Sequence, residues 1–183
     1  MRVLVTAASR HGSTTDIAEE IAAALRAVLR KADPSAVVDV RAAEQVSTLD
    51  GYDAAVLGSA VYLGHWLESA RVLVESHQDA LSRIPVWLFS SGPIGDPPLP
   101  REDPVDVEAL RQQVTARGHQ VFAGRLSKRV LRFTERAVVV ALRAPEGDFR
   151  DWKAIREWAR GVGEALSHGA QAPPADPDPS SAG

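Results

Sequence analysis

The 183-residue chain has no cysteine and one methionine. Without cysteine there is no disulfide framework, no thiolate metal centre and no cysteine nucleophile. That usage suits a reducing compartment. No apolar run reaches the roughly 18–20 residues that span a bilayer. Met1-Arg2 passes directly into an apolar strand rather than into a basic segment and a hydrophobic leader, so no signal peptide is expected and the expected location is cytoplasmic. An excess of positive charge is also missing: 21 Lys and Arg stand against 24 Asp and Glu, a formal charge of −3, so nucleic acid is not an expected partner. No metal-ligand spacing, Ser-His-Asp set or carboxylate pair stands out, and no metal is expected. The dinucleotide fingerprint Gly-x-Gly-x-x-Gly and the P-loop Gly-Lys-Ser/Thr are both missing. What remains, 45% apolar and 25% charged residues, is the ordinary composition of a soluble globular protein, and the length suits one domain.

The most informative stretch is residues 3–15. Val3-Leu4-Val5 reads as a buried strand, and Asp16 to Arg30 as a helix with Ile17, Ile21, Leu25, Val28 and Leu29 on one stripe. Between them lie Ser9, Arg10, His11, Gly12, Ser13 and Thr14. Hydroxyls and unpaired N–H groups at a helix N-terminus attract an anion, because the dipole and the open donors act together. Gly12 lets a phosphate approach the backbone. An ordinary N-capped strand-to-helix turn would use the same residue types.

Along the chain, Ala36–Val40, Asp53–Val61, Pro85–Phe89 and Gln120–Leu126 read as further strands. Helices are expected over residues 67–80, with Ala70, Leu73, Val74 and His77 on one face, and over 103–117, opened by Asp103-Pro104 and stopped by Gly118. A last helix begins near Asp148 or Asp151 and carries Trp152, Ile155, Trp158, Val162 and Leu166. Residues 127–143 mix Lys128, Arg129, Arg132, Arg136 and Arg143 with apolar residues and read as a short basic, apolar helix. Its arginines form either a solvated face or a patch for anionic lipid or substrate carboxylates. The Pro-, Ala-, Asp- and Ser-rich residues 169–183 read as a disordered tail. Alternating strands and helices predict a parallel sheet covered on both faces, with ligands at the C-terminal strand ends. There the polar loops 8–15, 58–66 and 90–96 would meet.

Ser9-Arg10-His11-Gly12-Ser13-Thr14 resembles the phosphate loop of flavodoxins. Tyr52-Asp53 and the strand after it, ending in Gly64-His65-Trp66, together with Ala123-Gly124 and Asp151-Trp152, make residues 1–168 similar to the flavodoxin domain of the menaquinone-dependent protoporphyrinogen oxidase type. The stretch 127–149 looks shorter than in the enterobacterial oxidases, and the third loop is richer in Gly and Pro. The resemblance implies a three-layer sandwich with strand order 2-1-3-4-5 and FMN as cofactor. The first loop would hold the phosphate. Ser59, Ala60, Val61, Tyr62, Leu63, Gly64, His65 and Trp66 would border one side of the ring, and Ser90, Ser91, Gly92 and Gly95 the other. Tyr62 and Trp66 are candidate stacking aromatics, with packing against its own helix as the alternative for Trp66. His65 would bond the flavin or cap the helix. Trp87, Phe89 and Trp152 are expected in the core, while Trp158 takes no assignment.

Two functions are expected, with a flavodoxin fold that has lost FMN and serves as a regulatory or scaffolding module as a third reading. One is an FMN-dependent oxidoreductase of the protoporphyrinogen oxidase kind, with a quinone or small-molecule partner and peripheral membrane contact through 127–143. The other is a flavodoxin-type electron carrier that docks on redox proteins. Catalytic residues are left unassigned.

Overall fold

The computed structural model describes residues 1–95, 103–127 and 145–169. Strands β1 (Arg2–Ala8), β2 (Val37–Ala42), β3 (Ala54–Tyr62), β5 (Val86–Ser91) and β6 (Gly118–Phe122) form a parallel sheet in the order β2-β1-β3-β5-β6, with the short β4 (His65–Trp66) antiparallel on β3. Setting β4 aside, this is the expected order 2-1-3-4-5. Helices α1 (Ser13–Ala32) and α5 (Trp152–Gly169) cover one face; α2 (Glu68–Ser76) and α4 (Val107–Gln113) cover the other, with the four-residue α3 (Gln78–Leu81) following α2.

Strand alternation builds the two cores. Val3, Val5, Ala7, Ala54, Val56, Trp87, Phe89 and Phe122 point to the α1/α5 side; Leu4, Ala8, Ala55, Leu57, Val86 and Leu88 point to the other. The central strands β1, β3 and β5 are therefore buried on successive positions, as a sheet covered on both faces requires. Trp87, Phe89 and Trp152 join the first core as expected, and Trp158 joins them, its ring edge-on to Phe122 with centroids 5.6 Å apart.

Several boundaries differ from the sequence expectation. The helix expected over 67–80 breaks at His77 (φ −122°), whose ring Nδ1 lies 3.1 Å from the Leu73 carbonyl. The helix expected from Asp103 starts at Val107, with Asp106 at its N-cap; the Asp106 carboxylate accepts the Trp66 backbone N–H (3.0 Å) instead of capping the helix. The strand expected over 120–126 ends at Phe122: the Gly124 N–H donates to the Pro93 carbonyl (2.7 Å), and β7 (Arg125–Leu126) leaves the sheet to pair antiparallel with β8 (Gly147–Asp148). The expectations of a basic helix and of a tail fall on residues 128–144 and 170–183, outside the described residues.

The Tyr52-Asp53 pair lies at the opposite end of the sheet from the polar loops. Asp53 accepts the Arg2 backbone N–H (2.6 Å), and the Tyr52 hydroxyl donates to Asp39 (2.9 Å) beneath the Arg2 guanidinium. Burial opposes the charge on Asp39, but the bonds from Tyr52 and Arg2 outweigh it and hold its pKa below the usual value. This motif ties strands together and touches no loop of the candidate site. Among the described residues, no helix is long and apolar enough to cross a membrane.

Candidate functional site

Strand register brings the three loops together. Ala8 is level with Ser59, and Ser59 with Ser90, so the chain leaves β1, β3 and β5 side by side at one edge. Between β1 and β3 the strand order reverses, which opens a crevice above the sheet.

At the first loop, Gly12 is the N-cap of α1 in the left-handed region (φ 83°), a conformation glycine adopts without strain. Its N-cap residue supplies no side-chain bond, so among the described residues the N–H groups of the first turn stand uncapped at the positive end of a 20-residue dipole. A Cβ on Gly12 would meet nothing within 4 Å, so the space above the loop is open. The Ser9 Oγ accepts the Gly12 N–H (3.1 Å), and Thr14 is buried in the first turn. The Arg10 guanidinium lies 4.4 Å from the Tyr62 ring centroid, linking the first loop to the second.

The second loop is a two-residue hairpin. Tyr62 pairs with His65, and Leu63 and Gly64 both take positive φ (51° and 82°), the pattern of a type I′ turn. Leu63 is 90% exposed. Trp66 is 2% exposed and packs among Ala70, Leu73 and Leu88, which is the packing alternative for this residue; Tyr62 is left as the aromatic at the loop mouth. The Trp66 indole N–H donates to Ser90 Oγ (2.8 Å). The His65 ring pairs with Asp106 rather than capping the helix, and the Val105 N–H donates to the Gly64 carbonyl (2.8 Å). Ser59, Ser90 and Ser91 are buried. The third loop fits closely: a Cβ on Gly92 would lie 3.0 Å from the Val61 Cβ, so these two loops touch. Gly95 again takes positive φ.

Two groups of residues escaped the sequence reading. Arg150, with a side chain 4% exposed, pairs with Asp148 (2.6 Å) and Asp16 (2.8 Å) and stacks on Trp152. The Asp148 bond holds the Arg150 pKa above its usual value, and Arg150 in turn lowers that of Asp148. The Arg125 N–H donates to Ser13 Oγ (3.1 Å), so the β7–β8 hairpin is pinned to the start of α1. His119 on β6 is the second: its Nε2 lies 2.8 Å from Ser90 Oγ and its Nδ1 3.6 Å from Asp103. Strand parity could have suggested it, because Leu88 is level with His119 and Ser90 follows on the same face. Arg150 had no local signal, since Asp16 lies 134 residues away. A groove of 390 Å³ beside α2, lined in part by Ala43, Val46, Leu73 and His77, shares no residue with the three loops. Among the described residues, no group of three or more His, Cys, Asp or Glu could hold a metal.

A family model described as a flavodoxin domain matches residues 4–153. Among solved structures, the chain is similar to a flavodoxin from the domain Archaea at 14% identity and TM-score 0.58, covering 92% of this chain and 100% of that one. The flavodoxin of Megasphaera elsdenii, in its two-electron reduced state, aligns at 18% identity and TM-score 0.57, over 90% and 99% of the two chains. The rubredoxin oxygen:oxidoreductase of Desulfovibrio gigas aligns at 12% identity and TM-score 0.61; 93% of this chain spans 37% of that one. At these identities the likeness is one of fold. No curated protein matches the chain.

Proposed function

The chain belongs to the flavodoxin-domain family, and from that premise we propose that it binds one FMN across the three loops and passes electrons to a redox partner. The observation that carries this reading is the uncapped N-terminus of α1 at the point of strand-order reversal, opened by left-handed Gly12. An anion there receives backbone N–H groups and the helix dipole together. The residues present fit a mononucleotide: one phosphate cradle, an aromatic at the mouth in Tyr62, and no second glycine loop for a dinucleotide. FMN, when bound, supplies the redox chemistry; the chain holds the phosphate, borders the ring with the 59–66 and 90–95 loops, and limits solvent access.

A second reading, a quinone-linked oxidoreductase of the protoporphyrinogen oxidase kind, draws on the β7–β8 hairpin. Arg125 and Arg150 bond to the first turn of α1, which sets the β7–β8 pair beside the phosphate loop.

The test has two stages. Protein reconstituted with FMN or with FAD is desalted, its spectrum recorded and the released cofactor identified by chromatography; retention of FAD alone, or of no flavin, overturns the reading. Reduced protein is then mixed in stopped flow with a one-electron metalloprotein acceptor or with a quinone. Rapid reoxidation by the metalloprotein supports the carrier, and saturable turnover with the quinone supports the oxidoreductase.

A further inference from the structure

His119 lies outside every loop that the flavin reading uses, yet it stands directly behind two of them. We propose that His119 is a positioning residue: through Ser90 it ties Trp66 and the second loop to the third, so that the two sides of the flavin site hold one spacing. This rests on the three loops being the flavin site.

The bond directions follow from the chemistry of each group. An indole N–H only donates, so Ser90 Oγ accepts from Trp66 at 2.8 Å. Its own proton then points to His119 Nε2, also at 2.8 Å, which must be unprotonated to receive it. The ring proton is left on Nδ1, the nitrogen that faces the Asp103 carboxylate. Ser90 and Trp66 are buried and the His119 side chain is 4% exposed, so water has little access to replace any partner. The hairpin is strapped at other points too. The Leu67 N–H donates to Ser59 Oγ (2.9 Å), the Trp66 N–H to Asp106 and the Val105 N–H to Gly64. Those straps hold the hairpin to its own strand and to the start of α4; the Trp66–Ser90 bond reaches the third loop, and His119 fixes the Ser90 hydroxyl that makes it.

His119 is also titratable. Burial lowers its pKa, Asp103 before α4 opposes that shift, and Arg111 on α4 adds to it. The neutral form is therefore the resting form at neutral pH. Protonation puts a hydrogen on Nε2. Ser90 Oγ would then accept from both Trp66 and His119, and its own proton would lose its acceptor inside a buried site. The tie loosens as pH falls.

The experiment uses the full chain, with wild type, His119→Gln and His119→Leu compared. The dissociation constant for FMN is measured from pH 7.5 to 5.0. The phosphate of the ligand also titrates near pH 6, so the quantity read is the ratio of the constants for wild type and His119→Gln at each pH. Gln offers an acceptor oxygen to Ser90 and does not titrate. At pH 7.5 the ratio is expected near one, while His119→Leu, with no acceptor, binds about tenfold more weakly, the equivalent of one net hydrogen bond. On acidification the wild-type constant rises about tenfold relative to His119→Gln for the same reason. In parallel, the indole N–H resonance of Trp66, identified as the one lost in Trp66→Phe, is followed in FMN-free protein. It is expected to titrate in wild type and to stay fixed in His119→Gln. A ratio constant within about twofold across the range, or a stationary Trp66 resonance in wild type, overturns the proposal even if FMN binds. A Trp66 resonance that titrates as expected in a protein that takes up no FMN sustains the tie and overturns the flavin reading instead.

Discussion

Gly58 offers the sharpest test of how the sheet is built beneath the site. It sits in β3 between Ala7 of β1 and Phe89 of β5, level with both. A Cβ added there would lie 2.0 to 2.5 Å from three carbons of the Phe89 ring, well inside contact distance. The ring has nowhere to go: Phe89 is fully buried, 6.2 Å from the Phe122 centroid and 6.4 Å from that of Trp158. Overpacking of this kind costs about 1–3 kcal/mol. Ala restricts the unfolded chain more than Gly does and returns about 0.4–1 kcal/mol. Gly58→Ala is thus expected to destabilise by about 1–2 kcal/mol, or about 0.5–1 M in urea midpoint at a slope near 2 kcal/mol/M. Phe89→Ala alone should cost about 3–5 kcal/mol through the cavity it leaves. In the double variant the clash is gone and the new methyl occupies part of that cavity. The combined loss should fall short of the sum by about 1–3 kcal/mol, the size of the overpacking term. Urea unfolding of the four proteins, followed by far-ultraviolet circular dichroism without flavin, reads all of this. A Gly58→Ala variant within about 0.5 kcal/mol of wild type, or strict additivity in the cycle, would refute the argument.

Other expectations concern the loops and the hairpin. Leu63→Asn should stabilise the protein by about 1 kcal/mol, because a left-handed conformation is costly for leucine and suits asparagine; a lower melting temperature would argue against a strained turn. Thr14→Ala should weaken FMN binding about ten- to hundred-fold through loss of a bond to a charged group. Gly12→Val should do worse, since a β-branched residue resists φ 83°; unchanged dissociation constants in both would place the phosphate elsewhere. Arg150→Met should cost about 1.5–3 kcal/mol and speed hydrogen exchange at the Arg125 amide, whereas unchanged exchange would mean the hairpin stays pinned without its ion pairs. His119 binds fewer protons folded than unfolded, so its contribution to stability is complete above its unfolded pKa of about 6.5 and is lost as pH falls from there towards the lower folded value. Titrating the urea midpoint of wild type against His119→Gln from pH 7.5 to 5.0 checks the sign.

The sheet was legible in the sequence because its strands are nearly continuous apolar runs, and alternation along them decides which core each side chain joins. The three loops were legible because small and polar residues follow each apolar run, although β3 and β5 run on into the stretches expected as loops, to Tyr62 and Ser91. The details that escaped depend on partners far along the chain. Nothing near Asp103 says that the carboxylate of Asp106 will serve the Trp66 backbone instead of its own helix, and nothing near Phe122 says that Gly124 will turn to Pro93 as the strand ends. Trp66 showed the limit for aromatics. Its position beside a loop is compatible with stacking or packing, and a buried serine 24 residues on is what receives its N–H.

The serines of the candidate site divide by what their protons do. Ser59 Oγ accepts from the Leu67 N–H and donates to the Ala60 carbonyl (2.8 Å), while Ser90 accepts from Trp66 and donates to His119. Both are committed in each sense, and their hydroxyls hold loops together. In the bonds that Ser9 and Ser13 make among the described residues the hydroxyl oxygen is the acceptor, from Gly12 and from Arg125, which leaves each proton as a donor there. A phosphate needs donors, and these two hydroxyls lie beside the uncapped turn of α1, where backbone donors are already gathered. The ring-side loops present a different chemistry. With Ser59 and Ser90 spent, a flavin bound as proposed would meet them through backbone groups and through Tyr62. The same residue type, placed at the ends of adjacent strands, thus keeps donors free for an anion at one loop, as the FMN proposal needs, and braces the backbone at the next two.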